Sequence, residues 1–326
     1  MKVATRIVTW PLRQAFTIAR ETWTSITCIQ ITLTDALGNI GRGEAVGVDY
    51  AAETPESMLA QIEAVRSHLD SNLTLATLQP LLPAGGARNA LDCALWDLNA
   101  KRWGIPAWRA AGLTSFGPRA TSFTFGIMEE QLLRSAARSH ANFPLLKVKT
   151  DHDHGLEPAR IVHEEVPSAR LILDANASWG ETELRRFAPE FGKLNIVLLE
   201  QPVDPRNDEI LSRVLLPIPV AADEAFSDRA SIAGLKGKYQ VLNIKLDKTG
   251  GLSEALACAR SGLDQGYRLM VGCMVGSSLS MAPGVVIAQL CDYVDLDGPL
   301  LQASDVAHPI DYLDGRIGTP SPALWG

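Results

Sequence analysis

Ionisable residues end a series of short apolar runs. Lys147 and Lys149 lie in Leu145–Lys149, and Asp174 and Asn176 follow Leu171-Ile172-Leu173. Glu200 closes Ile196–Glu200, Asp223 and Glu224 follow Pro219–Ala222, and Lys245 closes Val241–Lys245. Asp295 and Asp297 follow Tyr293-Val294. Three successive runs therefore end in carboxylates. At one register, Asp174, Glu200 and Asp223 would repel one another unless a cation stood between them. Oxygen-only ligands on rigid strand ends favour a hard divalent ion such as Mg²⁺. The alternative is that charged residues mark only where strands exit into solvent.

The lysines add the chemistry. In Lys147-x-Lys149, strand alternation sends both side chains to one side. Lys245 lies four runs further on, the opposite wall if eight such strands close into a barrel. Near one another and a divalent ion, lysines lose affinity for their protons and can act as bases. Bases on opposite faces of one carbon suit racemisation or epimerisation. One removes a proton, the other returns it on the far side, and the metal stabilises the intervening enolate. The competing readings are an exposed basic edge at Lys147 and Lys149, and a structural ion pair of Lys245 with Asp247.

These groups meet only if the runs are barrel strands. With Ser122–Phe125 and Leu269–Cys273 there are eight candidates, and from Lys149 to Asp295 successive ends are 22 to 28 positions apart. One strand, one helix and two short loops need about that length. The expectation is an α/β protein with a TIM-type (β/α) barrel of about seven to eight units, all strand ends on one face. A doubly wound sheet competes, but it usually carries a glycine-rich phosphate loop. Gly41-x-Gly43 fails as one because Val46 holds the third glycine position.

Residues 1 to 115 read differently. Ile26–Thr34 is strand-like, Asp35–Asn39 a turn, and Gly41–Ala45 resumes the strand pattern. Thr54-Pro55 starts a helix, and Ala87–Lys101 predicts another, with Leu91, Ala94, Leu95 and Leu98 at helical spacing. The expected division is a small α+β domain over 1–115 and a barrel over 116–305.

Composition narrows the partners. A net charge of −7 and the lack of a Lys/Arg-rich block argue against nucleic acid. No apolar run is long enough for a membrane span, and no signal-peptide core precedes Arg13. Five widely spaced cysteines without a C-x-x-C pair predict reduced thiols and a cytoplasmic protein. His152 and His154 fall in a loop and read as solvated. Ser277-Ser278 lacks a Gly-x-Ser-x-Gly elbow. Trp96, Trp103 and Trp108 read as packing residues.

Lys147-Val-Lys149, Asp174-Ala-Asn176, Glu200-Gln-Pro202, Ala222-Asp223-Glu224 and Asn243-Ile-Lys245-Leu-Asp-Lys-Thr-Gly-Gly251 form an ordered set. That set resembles the enolase superfamily, in its muconate-lactonizing-enzyme-like subgroup, across nearly the whole chain. The resemblance implies a barrel capped by residues 1–115 together with the tail at about 306–326. It also implies Mg²⁺ held by Asp174, Glu200 and Asp223, bases at Lys149 and Lys245, and Lys147 neutralising a substrate carboxylate. Asp295-x-Asp297 resembles the dipeptide-epimerase element that holds a substrate ammonium, and Gly272-Cys273-Met274 resembles the same group's seventh-strand end. Phe16–Trp23 and Val46–Ala51 fall where the family carries specificity loops. Arg20 would there meet an acidic side chain, as in an Ala-Glu dipeptide from cell-wall peptide, or lie at the surface. Asn176, Cys273 and Met274 complete the expected substrate contacts.

The leading expectation is a Mg²⁺-dependent dipeptide epimerase with a small-molecule substrate; assembly into homo-oligomers is left open. Its rivals are an N-acylamino acid racemase, o-succinylbenzoate synthase or cycloisomerase of the same superfamily, a Schiff-base lysine aldolase, and a non-catalytic binding barrel.

Overall fold

The computed structural model describes all residues, 1–326. The first three strands, Lys2–Thr17, Thr22–Thr34 and Ile40–Ala45, form an antiparallel sheet in chain order. Ile29, Ile31 and Leu33 alternate inward from its central strand onto the helix Gly86–Trp103. Gly41 and Gly43 lie against that helix, where a β-carbon would strike the carbonyls of Ala94 and Ala90. Their missing side chains serve close packing of strand on helix. Thr54 caps the helix Pro55–Ala64 through a capping box with Ser57, as Thr54-Pro55 predicts.

Gly86–Trp103 is buried on most of its circumference because it separates two cores. Leu91, Leu95 and Leu98 face the cap sheet, while Cys93, Trp96 and Ala100 join the barrel's core. Trp96 donates its indole N–H to Ser253 Oγ (2.9 Å), across that boundary.

All eight expected barrel strands form, in parallel and in chain order. They are Phe123–Phe125, Leu145–Lys149, Arg170–Asp174, Ile196–Glu200, Val220–Ala222, Val241–Ile244, Arg268–Val271 and Tyr293–Val294, hereafter the first to eighth barrel strands. A bond from Ser122 N–H to Val294 O (2.8 Å) joins the first to the eighth and closes the circle.

The barrel departs from ideal repetition at three connections. Regular helices follow the first, second, third, sixth and seventh strands, but only 3₁₀ turns, Pro205–Ser212 and Ser231–Leu235, follow the fourth and fifth. Pro205, Pro217 and Pro219 bound the fourth connection, and Gly234 and Gly237 break the fifth. After the eighth strand there is a single helical turn, Gly298–Leu301. The tail pairs Arg316–Ile317 with Arg119–Ala120 and then returns to the long cap helix. There Trp325 Nε1 donates to Cys93 O (2.9 Å), and Gly326 N–H to Asp97 Oδ1 (2.7 Å). No helix is long and apolar enough to cross a membrane.

The interior of the barrel rises in layers, as two-residue alternation requires. Leu145, Ile172, Leu198, Ala221, Val241, Met270 and Tyr293 form an apolar floor. Two residues further along the same strands come Lys147, Asp174, Glu200, Asp223, Asn243 and Asp295. Two further still come Lys149, Asn176, Lys245 and Asp297.

Candidate active site

Above the polar layer, cap and barrel enclose a cavity of about 680 Å³ including its open mouth. That is room for a small molecule, not for a folded partner. Lys149, Asn176, Asp223, Glu224 and Lys245 line its barrel side, with Cys273 and Met274 beside them. Phe16, Arg20, Trp23, Val46 and Tyr50 line its cap side. Lys149 and Lys245 thus face one space from strands four apart in a ring of eight.

The ladder register sets the carboxylates side by side: Lys149 pairs with Asp174, and Asp174 with Glu200. Lys149 Nζ donates to Asp174 Oδ2 (2.7 Å) and to Asn176 Oδ1 (3.0 Å). Lys245 Nζ donates to Asp223 Oδ2 (2.7 Å). Asp247, the alternative partner for Lys245, instead accepts the backbone N–H groups of Val46 and Gly47. Gln201 Oε1 accepts from Asp223 N–H (2.9 Å) and Ala225 N–H (3.1 Å), fixing the turn after the fifth strand.

Lys147 lies one layer lower than Lys149. Its ammonium contacts Glu200 Oε1 (2.9 Å), Asp295 Oδ2 (2.9 Å) and Asp174 Oδ2 (3.0 Å), and it is absent from the cavity wall. Asp295 is likewise engaged, by Lys147, by Ser122 Oγ (2.6 Å) and by Thr124 Oγ1 (3.2 Å). Asp297 Oδ2 accepts Thr124 N–H (2.6 Å), and Asp297 too is buried and absent from the cavity wall. The expected direct contacts of Lys147 and Asp295 with substrate are therefore not what this geometry displays; each meets another buried charge.

No three His, Cys, Asp or Glu side chains gather by themselves into a metal-holding group. Lysines stand among the carboxylates and neutralise them, where the sequence led us to expect a metal ion between them. The balance is still incomplete. Around the strand ends five cations (Lys147, Lys149, Lys245, Lys248, Arg20) face six carboxylates (Asp174, Glu200, Asp223, Glu224, Asp295, Asp297). Glu200 Oε2 is buried without a hydrogen-bond donor. Lys147 is 2.8 Å away, but its hydrogen bonds run to Glu200 Oε1 and Asp295 Oδ2 instead. Burial, reinforced by Asp174, pushes the Glu200 carboxyl up to about 8. An orphaned carboxylate oxygen in an all-oxygen set with surplus negative charge fits a hard cation.

Burial pulls Lys147 and Lys245 down, but neighbouring carboxylates overcome it and hold both above the ordinary lysine range. In the protein alone these carboxylates keep both protons on.

Sequence reasoning missed Lys248. Its ammonium donates to Asp223 Oδ1 (2.6 Å), Asp223 O (2.6 Å) and Asn243 O (3.0 Å), which uses all three protons. Its place in Lys245-x-x-Lys248, one helical turn beyond a strand end, was the available signal. The pairing of Arg20 with Glu224 (2.9 Å) was also missed, since no local pattern links residues 204 apart. Arg20 lines the cavity and also lies over the Tyr50 ring, 5.4 Å from its centroid. His152 and His154 are exposed, as expected.

Residues 1–112 match the mandelate racemase / muconate lactonizing enzyme N-terminal domain, and residues 130–323 match the enolase C-terminal domain-like family. The L-Ala-D/L-Glu epimerase of Escherichia coli (strain K12) is 38% identical over 310 residues, 94% of this chain and 96% of that protein. The N-acetyl-D-glutamate racemase of a Pseudoalteromonas species is 39% identical over 289 residues, 87% of this chain and 91% of that one. An enolase family member from Agrobacterium tumefaciens with homology to dipeptide epimerases, solved with sodium and L-Ala-L-Glu, superposes with a TM-score of 0.96. It is 36% identical, with 99% of each chain covered. The dipeptide epimerase from Methylococcus capsulatus, complexed with Mg and L-Arg-D-Lys, gives a TM-score of 0.91 at 30% identity. That comparison covers 99% of this chain and 98% of the other.

Proposed function

The chain belongs to the mandelate racemase / muconate lactonizing enzyme family of the enolase superfamily, and from that premise we propose that it is a Mg²⁺-dependent dipeptide epimerase. It inverts the α-carbon of the dipeptide's C-terminal residue by proton transfer between two bases. The observation that carries this is the pair Lys149 and Lys245, whose ammonium groups enter one cavity from opposite walls.

One lysine, in its neutral form, takes the proton from Cα; the other, as its ammonium, returns one to the opposite face. Asp174, Glu200 and Asp223 would hold Mg²⁺, whose charge would offset the negative charge that develops on the substrate carboxylate and would loosen the carboxylates' grip on the lysines. Asn176 orients Lys149, and Lys147 braces Asp174 and Glu200 from below. Asp297 is the residue we assign to the substrate ammonium, with Asp295 holding Lys147 beneath it. Cys273 and Met274 form the wall beside the reacting carbon.

For the side chain, Arg20 at the mouth suits a carboxylate that displaces Glu224, as an L-Ala-D/L-Glu dipeptide would. The five free cysteines suit a reducing compartment such as the cytoplasm. A second reading, racemisation of an N-acylglutamate, is favoured by the Pseudoalteromonas relative, which is as similar as the E. coli one. Such a substrate has no ammonium for Asp297.

Incubation with Mg²⁺ in D₂O separates the two readings. The proposal predicts Cα deuteration and epimerisation of L-Ala-L-Glu and L-Ala-D-Glu, with N-acetylglutamate turned over at least about tenfold more slowly. Faster turnover of N-acetylglutamate would establish the second reading, and exchange with neither class would remove both.

A further inference from the structure

Two carboxylates buried between cap and barrel have only neutral partners. Glu44, near the end of the third cap strand, is 2% exposed, and Asp247, two residues past Lys245, is 3% exposed. Asp247 Oδ1 accepts the backbone N–H groups of Val46 (3.1 Å) and Gly47 (2.9 Å), and its carboxyl also meets the Asn89 side chain. Glu44 Oε1 accepts Ser277 N–H (2.8 Å), while Oε2 accepts from Ser277 Oγ (2.8 Å) and Gln30 Nε2 (2.5 Å). Moving an ion out of water without a counter-charge costs several kcal/mol. An apolar residue at either position would avoid that cost, but it would leave buried N–H groups unpaired.

The places these bonds tie together are informative. Gly47 has φ +88°, so the chain turns away from the sheet there, leaving two consecutive amides that no strand partner meets. From this turn, Val46 to Tyr50 forms the cap wall of the cavity. Just before Ser277, Cys273 to Val275 forms the adjoining barrel wall. The cap segment 44–47 is therefore gripped by two consecutive barrel loops, one following Lys245 and the other following the seventh strand. The opposite cap wall, Phe16–Trp23, has no comparable buried anchor. It meets the barrel through the Arg20–Glu224 pair at the mouth and a backbone bond from Ile127 N–H to Thr17 O (2.8 Å).

We infer that Glu44 and Asp247 form a two-point clasp that holds the Val46–Tyr50 wall against the strand end carrying Lys245, and so sets how the substrate's side chain is received. Both are positioning residues, and neither lines the cavity. The kinetic part of this inference rests on the dipeptide reading above; the structural part does not.

Asp247→Ala removes the acceptor of both amides, whereas Asp247→Asn keeps the oxygen and drops the charge. In hydrogen–deuterium exchange of the full chain, the Val46 and Gly47 amides should exchange at least about tenfold faster in Asp247→Ala, with most protection returning in Asp247→Asn. With L-Ala-L-Glu and Mg²⁺, Asp247→Ala should raise KM about tenfold with kcat changed less than about threefold, and Asp247→Asn should recover most of the loss. Unchanged exchange at Val46 and Gly47 in folded Asp247→Ala overturns the clasp. A fall in kcat at constant KM overturns its role in receiving the side chain. A wild-type chain inactive on every dipeptide overturns the epimerase reading, and the exchange measurement still decides the clasp. If Asp247→Ala does not fold, Glu44→Ala provides the same test at Ser277, whose amide should exchange faster; unchanged protection there overturns the clasp.

Discussion

Lys147, Asp174, Glu200 and Asp295 lie at the barrel strand ends with nearly every charge answered by another, at 3.0 Å or less. The cap loops meet the same cavity with Phe16, Ile18, Trp23, Val46 and Tyr50, and with one half-exposed arginine. The barrel side is a cross-braced ionic lattice on hydrogen-bonded strands, in which Lys147, Asp174 and Asp295 each have two or three fixed partners. The cap side is mostly apolar contact, with Arg20 and Asp49, carried on the end of the first cap hairpin and the loop after the third cap strand. A lattice of that kind holds reacting groups to a fraction of an ångström but cannot adapt, whereas loops can change residues without disturbing the strands. The difference assigns proton transfer to the barrel and substrate choice to the cap, and it can be broken from either side.

The largest expected effect comes from the barrel side. Removing divalent ions with EDTA should lower epimerisation by about 10³-fold or more, and added Mg²⁺ should restore it. Full activity in EDTA would point to Schiff-base chemistry at a lysine, which borohydride with substrate would trap. The next effect is on the cap side. Arg20→Met should lower kcat/KM for L-Ala-L-Glu by about 10- to 100-fold, the loss of one charge-assisted contact, and leave L-Ala-L-Ala within about threefold. Equal losses on both substrates would move Arg20 from selectivity to the general architecture.

The smallest effect concerns the junction of the two regions. Burial pushes the Asp247 carboxyl up to about 7. A carboxyl with a higher pKa folded than unfolded favours the fold most below its unfolded value, near 4, and loses that contribution as pH rises through 7. Wild type should therefore lose stability relative to Asp247→Asn between about pH 4 and pH 8, by on the order of 1 to 3 kcal/mol. Denaturant titrations at both ends of that range check this, and parallel curves would contradict it.

The same contrast explains what could be read from the sequence. The eight strands were legible because each is a short apolar run and most end in a polar residue, and repetition made the barrel legible in turn. The height of each group was the harder step. Alternation correctly put Lys147 on the same side as Lys149, but two residues of strand are about 6 to 7 Å, enough to sink Lys147 below the cavity. Asp295 stands below Asp297 for the same reason. The missing helices after the fourth and fifth strands left only scattered prolines and glycines as signals. Gly41 and Gly43 looked like a failed phosphate loop because their actual partner, the helix Gly86–Trp103, is distant in sequence. Bonds such as Glu44 to Ser277 span 233 positions and leave no periodic trace.

The central claim is that Lys149 and Lys245 serve opposite faces of one carbon. Its most direct test is Cα deuterium exchange in D₂O with Mg²⁺, followed separately for L-Ala-L-Glu and L-Ala-D-Glu, in wild type, Lys149→Arg and Lys245→Arg. Wild type should exchange and interconvert both epimers. Each variant should lose epimerisation by about two to four orders of magnitude while still exchanging the proton of one epimer, a different one in each variant. If both variants retain exchange of the same epimer, or if either still epimerises at the wild-type rate, the two-base account is wrong.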